Sequence, residues 1–460
     1  MINYNSLMLK NWIEENSDFL TGARIQKIQQ PTRRDFVFVI RNKGESRKFY
    51  ININPQYYHV CFMSKENELK RFIEIPQKPP MFCMLLRKYL ENAVISHVEQ
   101  PEFERILEFY IETYNELSEK IYLCLAIELM GKYSNVILYN YDTNIILGCA
   151  HNVGAEKSRE REMAGGLPYV YPSGRPNSWY CADKNILPSE IDSYYAQIIS
   201  DDKIKRVKSD CAQIVNKKIK KDKTSLKKIQ SANDKDYDKY RLYGDLIMAN
   251  LYNNKDYLKT INVYDYENNC EISIELDETK TLKDNANRYY KLYNKSKTAH
   301  EKMQEMSLKL KENIEYNEQI LYSLELANDM DELLEIKSEI EPEKQVKSTK
   351  KVMIEPLKIE GFDVYVGKNN RQNDYIVSKL SKDEDLWFHT RDCAGSHVLL
   401  KCENPSDKLI FECAKLAKKY SKGSLSSKVS VIYTKRKYLK KPPKANLGYV
   451  IYKCEQEILV

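Results

Sequence analysis

Apolar positions recur along this chain with two different periods, and the switches between those periods divide it into regions. From Ser6 to Leu20 they fall at helical spacing and stop near "TGAR", predicting an opening helix. Alternation at every second position then runs through "RIQKIQQ", "DFVFVIRN" and "KFYINI", the last leading into "NPQYYHVCF", and predicts strands. Pro79-Pro80 introduce an apolar helix, "MFCMLLRKYLEN", and strand patterns resume at "ISHVEQP", "RILEFYIE", "KIYLCLAIEL" and "NVILYN". Gly165, Gly166, Pro168, Pro172, Gly174 and Pro176 then cluster as a linker signal, so a first mixed α/β domain is expected over 1–176.

Beyond it the period lengthens. From about Ser189 to Asn253 a helical pattern carries Ile204, Val207, Cys211, Val215, Ile219, Leu226 and Ile229 on one side, with lysines around the rest. A second runs from about Asn285 to Ile340, with Met303, Met306, Leu310, Ile314, Leu321 and Leu324 at steps of three, four and seven. Such narrow apolar seams are the pattern of a coiled coil. "TINVYDYENNCEISIEL" lies between them and reads as a β-hairpin near 259–276, turning at Asn268-Asn269. An intramolecular antiparallel coiled coil over 189–345 is the economical reading, with dimerisation through either helix as the alternative. After the charged linker "EPEKQVKSTKK", the runs "FDVYVG", "DLWFHT", "SHVLLK" and "SVIYTK" surround one helix, about Asp407 to Ser421, and predict a small α+β domain over 354–460. The whole reads as an α+β multidomain protein.

Length agrees, because 460 residues exceed one ordinary core. No run of about 18 apolar residues could span a bilayer, and "MINYNSLMLKNWIEEN" has neither a basic nor a continuous apolar leader region, so a cytoplasmic location is expected. The 11 cysteines include no CxxC pair, which argues against zinc ribbons and against a disulfide framework. Charge changes the picture more. The net charge is only +7, yet Lys203 to Lys228 holds 11 Lys or Arg against two Asp, and Cys413 to Cys454 holds no acidic residue at all. Lys435, Arg436, Lys440 and Lys441 fall in that second block. Blocks of this kind suit a phosphate-backbone binder, and 35 tyrosines add stacking surfaces.

One span concentrates chemistry: "DEDLWFHTRDCAGSHVLL", residues 383 to 400. His389 and His397 lie eight apart with Gly395 between them and no third ligand at a convincing spacing, so no metal is expected. Ser396 and His397, adjacent on a strand, would face opposite ways, which argues against a nucleophile and its base. Trp387 and His389 share one strand face, where each is either a core or capping group or a platform on which a base stacks. Arg391 and the basic tail would then meet phosphates, and Gly395-Ser396 would let backbone approach RNA closely.

The run "GFDVYVGKNNRQNDYIVSKLSKDEDLWFHTRDCAGSHVLLK" resembles the carboxy-terminal RNA-binding module of the NFACT family, historically named as fibronectin-binding protein A homologues. "PPMFCMLLRKYLENAVISHVEQPEFERI", "IELMGKYSNVIL", "GLPYVYP", "YRLYGDLIMANLY" and "NANRYYKLYNK" are also similar to it, in the family's order. The resemblance implies a glycosylase-like amino-terminal domain that binds tRNA, and a ribosome quality-control factor that needs no cofactor. Such a factor binds large ribosomal subunits (rRNA) still carrying peptidyl-tRNA and recruits tRNA, alanyl-tRNA in bacteria, for untemplated carboxy-terminal tailing that marks the nascent chain for degradation. It implies tRNA contact at Glu104, Arg105 and Lys132, and RNA contact in the last domain. Three departures stand out. Glu104 replaces the family's Asp, Lys132-Tyr133 replace Arg-His, and only a short gap follows "GLPYVYP" where a helix-hairpin-helix domain is expected. The competing readings are a nucleic-acid repair glycosylase, disfavoured because Met1-Ile2 stands where those enzymes have an amino-terminal proline, and a fibronectin-binding adhesin. The expectation is a binding factor without chemistry of its own.

Overall fold

The computed structural model describes residues 2–460 except 102–103, 116, 155, 157–160, 174–185, 233–236, 253–255, 267, 342–353, 392 and 444. Gly174, Pro176 and most of the charged linker therefore lie outside the described residues. The chain forms two compact units, Met1–Lys205 and Arg206–Val460, so the expected coiled coil begins in the first and the rest of it falls with the last domain in the second.

In the first unit, α1 (Ser6–Leu20) begins where the Asn5 side chain accepts the Met8 N–H at 2.8 Å. Nine antiparallel strands follow: β1 (Arg24–Thr32), β2 (Asp35–Asn42), β3 (Glu45–Asn52), β4 (His59–Met63), β5 (Val94–Glu99), β6 (Ile106–Tyr114), β7 (Lys120–Glu128), β8 (Asn135–Asn140) and β9 (Ile146–Cys149). Short α2 (Lys65–Lys70) and apolar α3 (Met81–Leu90) interrupt them. The sheet order is β4-β3-β2-β1-β5-β6-β7-β8-β9. Trp12 of α1 is fully buried against Phe49 and Phe62, and Leu86 and Leu90 of α3 join the same core.

The glycine- and proline-rich stretch expected as a linker instead packs back on the sheet, through bridges Val153↔Met163 and Ile145↔Pro168. Its side chains explain why. Glu108 is buried in β6 and accepts from Tyr171 at 2.9 Å and Tyr139 at 3.2 Å, while buried Glu128 in β7 pairs with Arg161 at 2.5 Å and accepts from Tyr169 at 3.1 Å. A buried carboxylate has to be paired or hydrogen-bonded, and the returning segment supplies those partners.

α4 (Pro188–Ala232) starts on this unit. Asp192, just past its first turn, accepts Arg71 Nη1 at 2.6 Å, the Ser64 N–H at 2.9 Å and Asn67 Nδ2 at 2.7 Å, and Arg71 also donates to the Asp192 carbonyl at 3.0 Å. Arg71 is completely buried. Beside it, burial first and the Arg71 charge second hold the His59 imidazole down at about 3, so it stays neutral and stacks on Tyr195 at 4.1 Å.

In the second unit α4 continues, followed by α5 (Asp238–Ala249), the hairpin β10 (Thr260–Asp265) and β11 (Cys270–Glu275), and α6 (Leu282–Leu326). Asn269 takes φ +51 in the hairpin turn, where an asparagine tolerates the left-handed region. Lys223 of α4 pairs with Glu318 of α6 at 2.8 Å. Two seam expectations need correction. Met306 is 57% exposed, so the apolar seam stops being buried there. The second helix is also not continuous to Ile340: α6 ends at Leu326, and α7 (Met330–Ile340) restarts after Asp329, whose side chain accepts the Glu332 N–H at 2.8 Å. Asn328-Asp329 with Glu332 three residues on is a capping signal that the heptad pattern masks.

The last sheet comprises β12 (Leu357–Ile359), β13 (Phe362–Val366), β14 (Leu386–Thr390), β15 (Val398–Leu400), β16 (Ser430–Lys435) and β19 (Gln456–Leu459), in the order β12-β13-β15-β14-β16-β19. Two short strands, β17 (Leu439–Lys440) and β18 (Ile451–Tyr452), pair separately. α9 (Asp407–Lys419) covers one face through Leu409, Cys413 and Ala417. The other face is capped by α8 (Asn370–Tyr375), which continues as a π turn over Ile376–Leu380 and which no apolar periodicity had announced. Glu332, Glu335 and Glu339, one stripe of α7, meet Lys368 at 2.6 Å, Asn369 at 3.0 Å and Asn370 at 2.8 Å.

Replacing Asp192 with alanine leaves Arg71 buried without its partner and is expected to destabilise the first unit by about 3–5 kcal/mol. Denaturant unfolding followed by hydrogen exchange checks this, with β4, α2 and the start of α4 expected to lose protection first.

Candidate nucleic-acid interface

Each unit holds one of the two regions expected to contact RNA. In the first, Arg105 stands just before β6, and its backbone carbonyl accepts the Leu129 N–H at 2.8 Å. That bond ties the start of β6 to the end of β7, immediately before a 3₁₀ turn at Gly131–Tyr133. Tyr58 joins the two pieces. Arg105 Nη1 donates to its hydroxyl at 3.0 Å and the guanidinium lies 5.8 Å from its ring centre. Gly131, at φ +63, lies so close to the same ring that a Cβ there would stand 3.7 Å from Tyr58 Cε1. Lys132 is exposed, with its ammonium 4.8 Å from the ring of Tyr133, itself 63% exposed. Glu104 adjoins Arg105, and its carbonyl accepts Gln100 Nε2 at 2.7 Å. The fold thus brings Arg105 and the Lys132 turn to one tyrosine across some 75 residues of sequence. Tyr58 and Tyr133 were missed by sequence reasoning; the only signal for Tyr58 was its place before a strand with polar neighbours.

In the second unit, β14 separates its faces as alternation requires. Leu386 and Phe388 enter the core under α9, and Trp387 enters the core on the other side with Leu399 and Ile432. Trp387 is 1% exposed and lies parallel to His389 at 5.7 Å, so its ring is packed rather than laid open for a stacking base. His397 is buried edge-on to both rings, 5.1 Å from Trp387 and 5.3 Å from His389. Burial, reinforced by the neighbouring His389, pushes the His397 imidazole well below its ordinary 6.5, and burial lowers His389 too, so both are neutral at pH 7.

Gly395 and Ser396 do not offer their backbone outward. The Gln319 side chain of α6 accepts the Gly395 N–H at 2.8 Å and donates to its carbonyl at 2.9 Å, while the Ser396 N–H donates to the Tyr420 carbonyl at 2.8 Å. A Cβ at 395 would sit 2.8 Å from Thr390 Oγ1 and 2.9 Å from Ser421 Cβ, so the glycine is required by internal packing.

Several expected phosphate contacts are likewise engaged within the protein. Arg391 pairs with Glu457, and Lys441 with Asp374. Lys435 and Lys437 share Glu384 at 2.7 and 2.8 Å and hold its carboxyl down to about 2. Arg436 donates to the Val377 carbonyl at 2.7 Å and to the Leu439 carbonyl at 3.2 Å, bracing the π turn. Lys440 remains exposed. Among the described residues no group of three or more His, Cys, Asp or Glu could hold a metal ion, and no helix is long and apolar enough to cross a membrane.

Comparison with known proteins follows the same division. A family profile described as NFACT N-terminal and middle domains matches residues 5–178 and 186–355, and one described as NFACT protein RNA binding domain matches 352–453. The chain is similar to the protein named Rqc2 homolog RqcH from Bacillus subtilis, 28% identical over 570 aligned positions that cover all of this chain and 98% of the relative. A relative of the same name from Streptococcus pneumoniae is 27% identical over 546 positions, with the same coverage. Because 570 positions accommodate only 460 residues here, at least 110 positions of the Bacillus relative have no counterpart, and the profile match breaks between 178 and 186. A solved structure titled as the C-terminal of the fibronectin/fibrinogen-binding protein from Streptococcus suis is 26% identical, covers 56% of this chain and 95% of its own, and has a TM-score of 0.45.

Two outcomes follow from this geometry. Gly395→Ala is expected to cost about 1–3 kcal/mol by overpacking, read as a lowered melting temperature of the full chain. Because the His389 and His397 values in the folded state lie below the unfolded 6.5, the stability tied to their neutrality is complete above pH 6.5 and is lost as pH falls through the folded values. Hydrogen exchange corrected for intrinsic rate should show β14 and β15 losing protection between pH 7.5 and 5, and a flat profile would contradict the assignment.

Proposed function

The chain belongs to the NFACT family, and on that premise we propose that it acts in ribosome-associated quality control. It would hold a large ribosomal subunit carrying peptidyl-tRNA after a stalled ribosome has split. It would then present tRNA, alanyl-tRNA by family resemblance, for untemplated tailing of the nascent chain. Peptide-bond formation would rest with ribosomal RNA, and this chain, working in the cytoplasm, would contribute positioning rather than covalent chemistry.

The observation that carries the reading is the gathering of Arg105 and the Lys132 turn around Tyr58. A guanidinium held by a tyrosine hydroxyl is pre-oriented for a phosphate, and the exposed Lys132-Tyr133 pair adds a second charge with an aromatic face beside it. Glu104, one methylene longer than the family's acid, would supply a carboxylate to a sugar hydroxyl or a base amine. In the second unit the internal pairing of Arg391, Lys435, Arg436 and Lys441 leaves less charge for phosphate than the composition suggests, so Lys440 and the lysines of α4 and α9 would carry more of the contact with ribosomal RNA.

Cosedimentation with large subunits, followed by sequencing of the bound RNA, tests this. The wild-type chain is expected to enrich tRNA, Arg105→Ala to lose that enrichment while still sedimenting, and Tyr58→Phe to fall between. Three or four phosphate contacts would weaken binding by roughly 10- to 100-fold between 50 and 200 mM salt. Failure of both the wild-type and the Arg105→Ala chains to enrich any tRNA sinks the proposal.

A further inference from the structure

Beside the last sheet a cavity of about 680 Å³ opens, lined by Glu312 and Glu315 of α6, by Trp387, His389 and His397 of the sheet, and by Tyr449. Its size is that of an ordinary small-ligand site. Two of its wall residues carry an anomaly. The indole Nε1 of Trp387 and the Nδ1 of His397, in residues 1% and 4% exposed, have no hydrogen-bond partner among the described residues. Buried polar atoms are nearly always satisfied, and where they are not a ligand or solvent site is the first explanation to seek.

The charge and shape of the walls restrict the ligand. Both histidines are neutral, so the aromatic end offers donors and acceptors without a positive charge. Glu312 and Glu315 are exposed carboxylates that repel a phosphate and accept N–H groups. Arg391 also lines the cavity but is paired with Glu457, whereas Lys422 stands on the same lining as a cation. Of the parallel pair Trp387 and His389, the half-buried His389 presents the accessible ring, with Trp387 packed beside it. The fitting ligand is planar, uncharged in its ring and equipped with both an acceptor and an amino group.

We infer that this cavity receives one amino-bearing nucleobase, adenine, cytosine or guanine, with a ring acceptor on the Trp387 N–H and its amino group on Glu312 or Glu315. The inference deepens the RNA-binding reading above and rests on it for the source of the base. Carboxylates accept readily from the cytosine amino group, and the same chemistry extends to the amino groups of adenine and guanine. Uracil, which lacks an exocyclic amine, would bind poorly. A base extruded from an RNA strand and a free nucleotide share this chemistry, and the experiment separates them.

The indole ¹⁵N–¹H resonance of Trp387 in the full chain, assigned as the signal lost in Trp387→Phe, reports occupancy directly. AMP, CMP or GMP is expected to shift it in a saturable manner, and UMP to require at least a tenfold higher concentration. The Glu312→Gln, Glu315→Gln double variant, altered only at exposed positions of α6, should weaken the effect at least tenfold while the spectrum remains that of a folded chain. If a single-stranded oligoribonucleotide moves the signal at lower concentration than any mononucleotide, the source is an RNA strand; if the mononucleotides suffice and the oligonucleotide does not, it is a free nucleotide. Both outcomes support the site. No shift with any nucleotide or oligonucleotide overturns it. A chain that sediments with large subunits yet shows no nucleotide response loses only this inference, whereas one that responds to nucleotides but does not sediment loses the ribosomal reading.

Discussion

The pair Arg71–Asp192 is the constraint on which the start of the long α4 helix depends. Arg71 is completely buried, and its two shortest hydrogen bonds both go to Asp192 near the start of α4. A buried guanidinium needs its charge met, and Asp192 meets it and takes both terminal nitrogens while also collecting the Ser64 N–H and the Asn67 amide. One carboxylate therefore ties the β4–α2 corner to a helix of 45 residues. Apolar burial of Ile191, Tyr195 and Ile199 supplies area, but area is not directional, and the ion pair sets the angle and register of the start.

The same division of labour recurs in the second unit. The last sheet has an apolar core on each face, yet its contacts with α6 and α7 are polar: the Gln319 clamp on Gly395, and the α7 glutamates against Lys368, Asn369 and Asn370. These contacts require specific donors at specific positions, so they orient the module on the helices. They also use up charge. Arg391, Lys435 and Lys441 lie in the basic tail or near it, but each has a carboxylate partner, which is why a net excess of lysine in the sequence overstates the positive surface left for RNA.

Much of the architecture was legible in the sequence because its signals are local. The opening helix, the strands β1 to β8, the hairpin between the long helices and the strand pattern of the last sheet each follow from a period of two or 3.6 and from turn residues. Two other stretches show why some of it was not. α8 carries asparagines and an arginine whose partners lie on α7 and just before β15, so no apolar stripe marks it. The stretch around "GLPYVYP" has the composition of a linker, and packs because Met163 and Tyr169 join an apolar cluster and because Glu108 and Glu128, distant in sequence, take the hydroxyls of Tyr169 and Tyr171 and the guanidinium of Arg161.

The sequence by itself determined the order of elements, the alternation that sends Phe388 and Trp387 to opposite cores, and the NFACT motifs from which an RNA-binding role was expected. Only the tertiary structure decided which of the motif residues remain available. Arg105 and the Lys132 turn converge because the antiparallel pairing of β6 and β7 brings the start of one strand beside the end of the other. Gly395 and Ser396 are withdrawn because Gln319 and Tyr420 take their backbone groups. The physical reason is the same in each case: periodicity is written within a few residues, whereas the satisfaction of a buried or charged group depends on partners that the chain brings near only when it folds.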